Sequence, residues 1–158
     1  MATDKEMKNA LEVFATLKET LDARNWTYDA EEDELRIHLG VNGDDIPMRF
    51  IFICDAERQL LRILSFLPFE FDSEKRVLAA ISTAMVNYDL VEGSFDTSIE
   101  NGNILYRINT SFRDSIISVD LIDHMIDIAC FTVDKYNEGF YELNSGKIGI
   151  EEFMMKYL

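Results

Sequence analysis

The stretch IPMRFIFICDAERQLLRILSFL, residues 46–67, decides the fold. Its two halves, Ile46–Cys54 and Leu60–Leu67, are apolar at nearly every position, so each half is apolar on both faces when it is extended. A strand that is apolar on both faces is covered on both faces in the folded protein. The polar residues Asp55–Arg58 leave room only for a short connection, which predicts a central antiparallel hairpin.

A helix and two strands are predicted before this hairpin. Thr3 and Glu6 have the spacing of a capping box, and apolar residues at intervals of three or four continue the helix to about Ala23. Trp26 and Tyr28 alternate with polar residues and predict a first strand. Leu35–Val41 alternates in the same way, which is typical of a strand with one face in water.

Two further helices and a second hairpin are predicted after it. A second helix follows Pro68, and we expect it to pack through the stripe Val77, Leu78, Ile81, Met85 and Tyr88. Asn101-Gly102 predicts a hairpin tip with residues of positive φ between two alternating segments. We expect Ser118 to cap a long third helix that reaches about Leu143, and the tail 147–158 allows one more short helix.

The element order is therefore α-β-β-β-β-α-β-β-α, with about six strands. Strands joined by short polar turns pair antiparallel, and helices placed between hairpins pack on one face of the sheet. We expect a single α+β domain over residues 1–158.

Composition excludes several classes of function. The 158 residues carry 15 Lys and Arg against 30 Asp and Glu, a formal net charge of −15. This charge argues against binding to nucleic acid and against binding to anionic membrane surfaces, because a protein needs clustered basic residues to bind either of them. No apolar segment approaches the roughly 20 residues of a membrane span, and the start MATDKEMKNA has no apolar signal core. Two cysteines are too few for a disulfide scaffold, so we expect a reducing cytoplasm.

Several segments together resemble the YbjN-like family of bacterial sensory transduction regulators, from about Leu11 to Leu143. They are the Trp-x-Tyr strand at residues 26–28, Phe50–Cys54, Leu60–Pro68, Asn87, Gly93-Ser94-Phe95 and Gly102–Arg107. The resemblance implies a fold similar to type III secretion chaperones, with helices against a curved antiparallel sheet. It also implies a small bacterial protein, often dimeric, that acts by binding, and it supplies no catalytic residues.

The chain offers little material for catalysis. His38 and His124 have no metal-ligand spacing around them, and no glycine-rich phosphate loop or Gly-x-Ser-x-Gly elbow is present. Cys54 and Cys130 lie in apolar runs, where a free thiol is typically buried and inert. We therefore predict no catalytic residues, no cofactor and no metal.

Protein binding is the leading hypothesis, as a chaperone-like or regulatory adaptor in bacterial sensory or stress signalling whose client protein the sequence does not identify. Phe66, Phe69 and Phe71 are the candidate partner-binding residues, although the same three could simply fill the core beneath a helix. The acidic surface would favour basic partners. The alternative is a small-molecule sensor that holds an apolar ligand between sheet and helices. An enzyme comes third.

A homodimer is predicted because a single layer of helices covers only one face of a doubly apolar sheet. The third helix is apolar around most of its circumference, so we expect Ile126, Cys130 and Phe131 to lie in the dimer interface. The tail helix is the alternative cover for the second sheet face.

Overall fold

The structure, a computed structural model, describes all residues from Met1 to Leu158. It contains four α-helices and six strands, with 3-10 turns at Glu32–Glu34 and Ser73–Lys75. In chain order the elements are α1 (Asp4–Ala23), β1 (Asp29–Glu31), β2 (Arg36–Val41), β3 (Met48–Asp55), β4 (Leu60–Glu70), α2 (Arg76–Asp89), β5 (Ser94–Thr97), β6 (Asn103–Ser111), α3 (Val119–Ser145) and α4 (Ile150–Tyr157). The predicted α+β class and element order are confirmed, and α4 follows α3 in the tail.

The six strands form one sheet in the order β1-β2-β3-β4-β6-β5, and every neighbouring pair is antiparallel. The predicted hairpin of β3 and β4 lies at its centre, where Cys54 pairs with Leu61. The tip of the β5–β6 hairpin contains Asn101-Gly102, but only Gly102 has a positive φ, of 82°. The loop is longer than a two-residue turn because Ser98 bonds to both Gly102 and Asn103 through its backbone.

One face of the sheet supports the core. Ile37, Phe52, Ile63 and Ile108 are paired across four neighbouring strands and all point towards the helices. They belong to a cluster of 34 buried apolar residues to which α1 and α3 contribute most of the helical members. This cluster fills the space between sheet and helices, which is the place where the sensor alternative requires a ligand.

Helix α2 packs with the opposite face from the one predicted. Its buried residues are Ala79, Ser82, Thr83 and Val86, whereas Val77, Ile81 and Tyr88 of the predicted stripe are exposed. Small side chains let the helix approach β5 closely, so that the Thr83 and Thr97 hydroxyls lie 2.8 Å apart. Val77, Ile81 and Tyr88 consequently point into solvent, whereas Leu78 of the predicted stripe packs against the core and Met85 is half-buried.

The Asn87 side chain joins α2 to the backbone of β5. The Phe95 N–H donates to Asn87 Oδ1 at 2.7 Å, and Asn87 Nδ2 donates to the Phe95 carbonyl at 2.8 Å. The N–H and C=O groups of Phe95 point away from β6, towards the edge of the sheet. The side-chain amide of Asn87 therefore forms the two hydrogen bonds that a further strand would otherwise form. This is a structural role for one of the residues that carries the family resemblance.

Helix α4 is held against α3 by a buried carboxylate. Glu142, whose side chain is 2% exposed, accepts from Lys147, from Lys156 at 2.9 Å and from the Tyr157 hydroxyl at 3.0 Å. The hydrogen bonds from Lys147 and Lys156 lower the pKa of Glu142 to about 2. Gly139 leaves room for α4, because a Cβ there would lie 2.8 Å from ring atoms of Phe153 and Tyr157.

Candidate functional site

The sheet face that points away from the helices is the candidate binding surface, and no element of the chain covers it. Strand alternation and register place six apolar side chains there, from β3, β4 and β6: Ile51, Ile53, Leu60, Leu64, Phe66 and Leu105. Ile51 pairs with Leu64, and Phe66 pairs with Leu105, so these side chains form a continuous band. We call this surface the open sheet face.

The exposed fraction of the apolar side chains in this band varies from strand to strand. Leu64 is only 7% exposed although no helix covers it, because its neighbours on adjacent strands surround it. Ile51, Ile53 and Leu105 are half-buried, and Phe66 is 46% exposed. Apolar area that is exposed and contiguous is typical of a surface that contacts another molecule.

The charge of the open sheet face differs from that of the whole chain. Its outward positions carry four arginines and five carboxylates: Arg36, Arg49, Arg62, Arg107, Asp29, Glu31, Asp55, Glu70 and Asp96. Their formal charges sum to −1, whereas the chain as a whole carries −15. The preference for basic partners, which the sequence suggested from overall charge, therefore does not extend to this face.

Most of these arginines are already paired. Arg107 Nε lies 2.8 Å from Asp96, and Arg36 and Arg62 lie within 4.0 Å of Glu31 and Asp55. Arg49 is exposed and takes part in none of the ion pairs. It is thus the arginine on this face that is free to pair with a carboxylate of a bound molecule.

A groove of about 890 Å³ crosses one end of the open sheet face. Its walls come from β1 to β4 and include two prolines and the exposed Phe66. The residues around it are Asp29, His38, Leu39, Gly40, Pro47, Arg49, Phe50, Ile51, Phe66, Leu67 and Pro68. An apolar floor with few charges at its margin is typical of a site for a peptide segment or a small molecule.

The three candidate partner-binding phenylalanines do not share a surface. Phe66 lies on the open sheet face, as that hypothesis requires. Phe69 is half-buried and packs edge-to-face on Tyr141 of α3, with ring centroids 5.4 Å apart. Phe71 is 1% exposed and belongs to the core, so its placement in a binding surface is wrong. Glu70 pairs with Asn103 and so stays on the face of Phe66, and strand alternation directs Phe69 and Phe71 to the helical side.

The three candidate dimer residues are likewise separated. Ile126 is 1% exposed and faces the sheet, which excludes it from an interface on this fold. Phe131 lies five residues after Ile126, which corresponds to a rotation of about 140° around the α-helix. It therefore lies on the other side of α3 and is 69% exposed. Cys130 is half-buried between them, and burial raises the pKa of its thiol to about 11.

Sequence reasoning missed the exposed stripe of α2. Residues 77–88 contain no charged side chain, yet Val77, Ile81 and Tyr88 all lie in water. The sequence does contain a signal for the buried face of α2. It is a second stripe, whose small residues suit close packing on a strand: Ala79, Ser82, Thr83 and Val86.

No chemistry-bearing cluster accompanies these surfaces. His38 and His124 lie on different elements, each 3.0 Å from one glutamate, Glu31 and Glu92. No group of three or more His, Cys, Asp or Glu side chains could hold a metal ion. Burial raises the pKa of Cys54 to about 12, so this thiol is a poor nucleophile at neutral pH.

The profile of one protein family matches residues 14–142, from α1 to the last turns of α3. The chain belongs to the YbjN family. This family is described as "Putative bacterial sensory transduction regulator". The match ends at Glu142, so helix α4, which this residue holds in place, lies beyond the part that the YbjN family profile describes.

Two solved structures share the fold of this YbjN-family chain. The crystal structure of YbjN from E. coli, "a putative transcription regulator", is 13% identical, with a TM-score of 0.58 over 84% of this chain and 92% of that chain. A chain of the HopA1–SchA chaperone–effector complex is also 13% identical, with a TM-score of 0.57 over 86% of this chain and 97% of that chain. At this identity the similarity establishes the fold, and the predicted resemblance to type III secretion chaperones is confirmed.

A comparison with curated protein sequences gives no significant match. None of the helices combines the length and the apolar character needed to span a bilayer.

Proposed function

We propose that this protein is a non-enzymatic regulatory adaptor that binds a partner protein on the open sheet face, in a chaperone-like manner, within bacterial sensory signalling. The observation that carries the proposal is the apolar band from Ile51 to Leu105, which lies on the side of the sheet without helices. Membership of a family of sensory regulators and the fold shared with a chaperone–effector complex support the same conclusion.

The bound segment is expected to be mainly apolar and to carry at least one carboxylate. Apolar side chains of the partner would cover Ile51, Phe66 and Leu105, which together remain substantially accessible. A carboxylate would pair with Arg49 at the margin of the groove, where Pro47 and Pro68 form stiff walls. Electrostatic pairing at such a margin sets orientation and specificity, while the apolar contacts supply most of the affinity.

We also propose that the adaptor works as a homodimer and in the cytoplasm. Two free thiols support a reducing compartment, since an oxidising one would favour their pairing or modification. The homodimer does not compete with partner binding when the two copies meet on the helical side, because the open sheet face then stays accessible.

The test compares partner capture by two matched variants. Phe66→Asp places a charge in the band at a position that is 46% exposed, so the fold should tolerate it. Ile116→Asp makes the same kind of change at a side chain that is 96% exposed and far from the band, in the loop before α3. Each variant is immobilised, and bound bacterial proteins are identified and then titrated in purified form.

We expect a partner that binds the wild type and Ile116→Asp with equal affinity and binds Phe66→Asp at least tenfold more weakly. Arg49→Glu should weaken the same partner when its bound segment is acidic. Equal affinity of one purified partner for all of these proteins would refute the open sheet face as the docking surface.

A further inference from the structure

The hydrogen-bond ladder between the two central strands stops before the strands do. Its last pair is Ile51 with Leu64, although β3 begins at Met48 and β4 continues to Glu70. Beyond that pair, β3 still pairs with β2 as far as Met48, and β4 still pairs with β6 as far as Phe66. The sheet therefore has an internal gap between β3 and β4, at the end where the groove of about 890 Å³ lies. We call it the β3–β4 gap.

Two prolines explain why the ladder stops there. If the register of the ladder continued, Arg49 would pair with Phe66, and Pro47 with Pro68. Proline has no backbone N–H and cannot donate to a neighbouring strand. The two prolines would share no backbone hydrogen bond, so this pair cannot hold the ends of β3 and β4 together.

Backbone groups of Arg49 and Phe66 face the β3–β4 gap. Along a strand, alternate residues direct their N–H and C=O groups to the same neighbouring strand. The Cys54 N–H donates on the side of β2, so the odd-numbered residues of β3, including Arg49, direct these groups towards β4. The Gln59 carbonyl accepts on the side of β6, so the even-numbered residues of β4, including Phe66, direct theirs towards β3. The N–H groups of Arg49 and Phe66 are thus donors that point into the gap and lie outside the ladder.

The side chain of Arg49 adds a positive charge beside these donors. Its cross-strand neighbour on β2 is Gly40, and Phe66 lies across the gap, so neither position offers a carboxylate to the guanidinium. Asp29 is the carboxylate among the residues around the groove, and it lies on β1, two strands away. An exposed guanidinium beside backbone N–H groups is a site for a carboxylate, which accepts hydrogen bonds at both oxygens.

Apolar side chains and prolines surround the site. Ile51 and Phe66 lie at its floor, and Pro47 and Pro68 lie at its end. The proline position offers no N–H to an extended chain that lies in the gap. This arrangement favours the end of a chain over its middle, because the donors for a carboxylate come last and no backbone donor follows at the next ladder position.

We infer that the β3–β4 gap binds the free C-terminus of an extended partner segment. The α-carboxylate pairs with the Arg49 guanidinium and accepts from the N–H groups of Arg49 and Phe66, while the last apolar side chain packs on Ile51 and Phe66. The inference rests on the partner binding of the proposed function and specifies which part of the partner enters the groove. Capture of a C-terminal carboxylate by backbone donors is a recurring mode of peptide recognition.

Gly40 keeps the site accessible. Strand alternation places position 40 on the open sheet face beside Arg49, and the glycine leaves this place unfilled. A Cβ at Gly40 would meet only the Met48 carbonyl oxygen, at 3.8 Å, which is an ordinary contact. Valine suits a strand, so Gly40→Val should fill the groove and leave the fold intact.

The first test uses random ten-residue peptides displayed on phage with free C-termini, and the same library with its C-terminus fused to the coat protein. We expect enrichment only from the library with free C-termini. The strongest peptide, made synthetically and labelled, should bind at least tenfold more tightly as the free acid than as the C-terminal amide in fluorescence anisotropy. In NMR, the N–H resonances of Arg49 and Phe66 should shift with the acid and far less with the amide.

The second test uses variants of the protein with the same acid peptide. Arg49→Gln and Gly40→Val should each weaken binding at least tenfold, with urea midpoints close to that of the wild type. Arg113→Gln is the matched control for the arginine, because Arg113 is exposed and follows β6, at the end of the sheet opposite the groove. This control should bind the peptide as the wild type does.

Several results would overturn the inference. They are equal affinity for acid and amide, wild-type affinity of Arg49→Gln or of Gly40→Val, and failure of the library with free C-termini to give any binder. Displacement of the peptide by an equal concentration of hexanoate would instead assign the site to small carboxylates. The proposed function is decided separately, by the comparison of Phe66→Asp with Ile116→Asp, so a partner that binds the open sheet face through an internal segment refutes this inference alone.

Discussion

Replacement of Glu142 by glutamine should release α4 from α3 and make the loss of stability dependent on pH. Glutamine has nearly the shape of glutamate, but it carries no negative charge and replaces one of the two acceptor oxygens used by Lys147 and Lys156 with an NH2 donor. The pKa of Glu142 is about 2 in the folded chain against an ordinary value of 4.5. At ~1.36 kcal/mol per pH unit this difference corresponds to an upper limit of about 3 kcal/mol.

The measured cost should lie below this limit. Lys147 and Lys156 are 68% and 47% exposed, so solvent screens both partners of the buried carboxylate. We therefore expect Glu142→Gln to lower the free energy of unfolding by about 1–2 kcal/mol at pH 7. Since the pKa of Glu142 is depressed by folding, its contribution is complete above pH 4.5 and is lost as the pH falls towards 2.

Urea unfolding followed by circular dichroism between pH 3 and pH 7 measures this difference, and hydrogen exchange of α4 locates it. Glu19→Gln is the matched control, because Glu19 is an exposed helical glutamate in none of the ion pairs. The reasoning is refuted if Glu142→Gln costs no more than Glu19→Gln, or if the cost is the same at pH 3 as at pH 7.

Three further predictions concern the core, the second hairpin and the buried thiol. Phe50→Ala should lower the free energy of unfolding by about 3–5 kcal/mol, and an unchanged urea midpoint would show that its burial is assigned wrongly. Gly102→Ala should cost about 2 kcal/mol or more, because φ is 82° and the new Cβ would lie 2.3 Å from the Phe71 carbonyl oxygen. Cys54 has its pKa raised to about 12 by burial, so in a Cys130→Ala background it should react with a disulfide reagent only as fast as the chain unfolds. Rapid labelling of the folded protein would contradict this.

Strand alternation and turn chemistry were sufficient to predict the sheet. The doubly apolar segments 46–54 and 60–67 form the central hairpin, with β3 and β4 as neighbours. The register of two paired strands is set by local signals. A shift of one residue would move every side chain of a strand to the opposite face of the sheet. The Asn101-Gly102 pair marked the second hairpin correctly, although Ser98 and Asn103 extended its loop.

The faces of the helices could not be predicted in the same way. Periodicity shows which residues of α2 share a stripe, but it does not show which of two stripes meets the sheet. Which stripe of α2 faces the sheet depends on how closely the helix can approach β5, and that distance is set by Ala79 and Thr83. In α3, apolar residues occur on nearly every side, so the sequence could not separate the buried Ile126 from the exposed Phe131.

The amide of Asn87 has a consequence for how the sheet can grow. A strand at the margin of a sheet usually presents free N–H and C=O groups that another chain can extend by strand addition. At β5 these groups of Phe95 are already occupied by Asn87, and at the other margin β1 has only three residues, two of which are acidic. The backbone of Phe95 is therefore closed to strand addition, and the short acidic β1 is a poor template for it. We therefore expect a partner to recognise the pattern of side chains on the sheet more than its backbone edges.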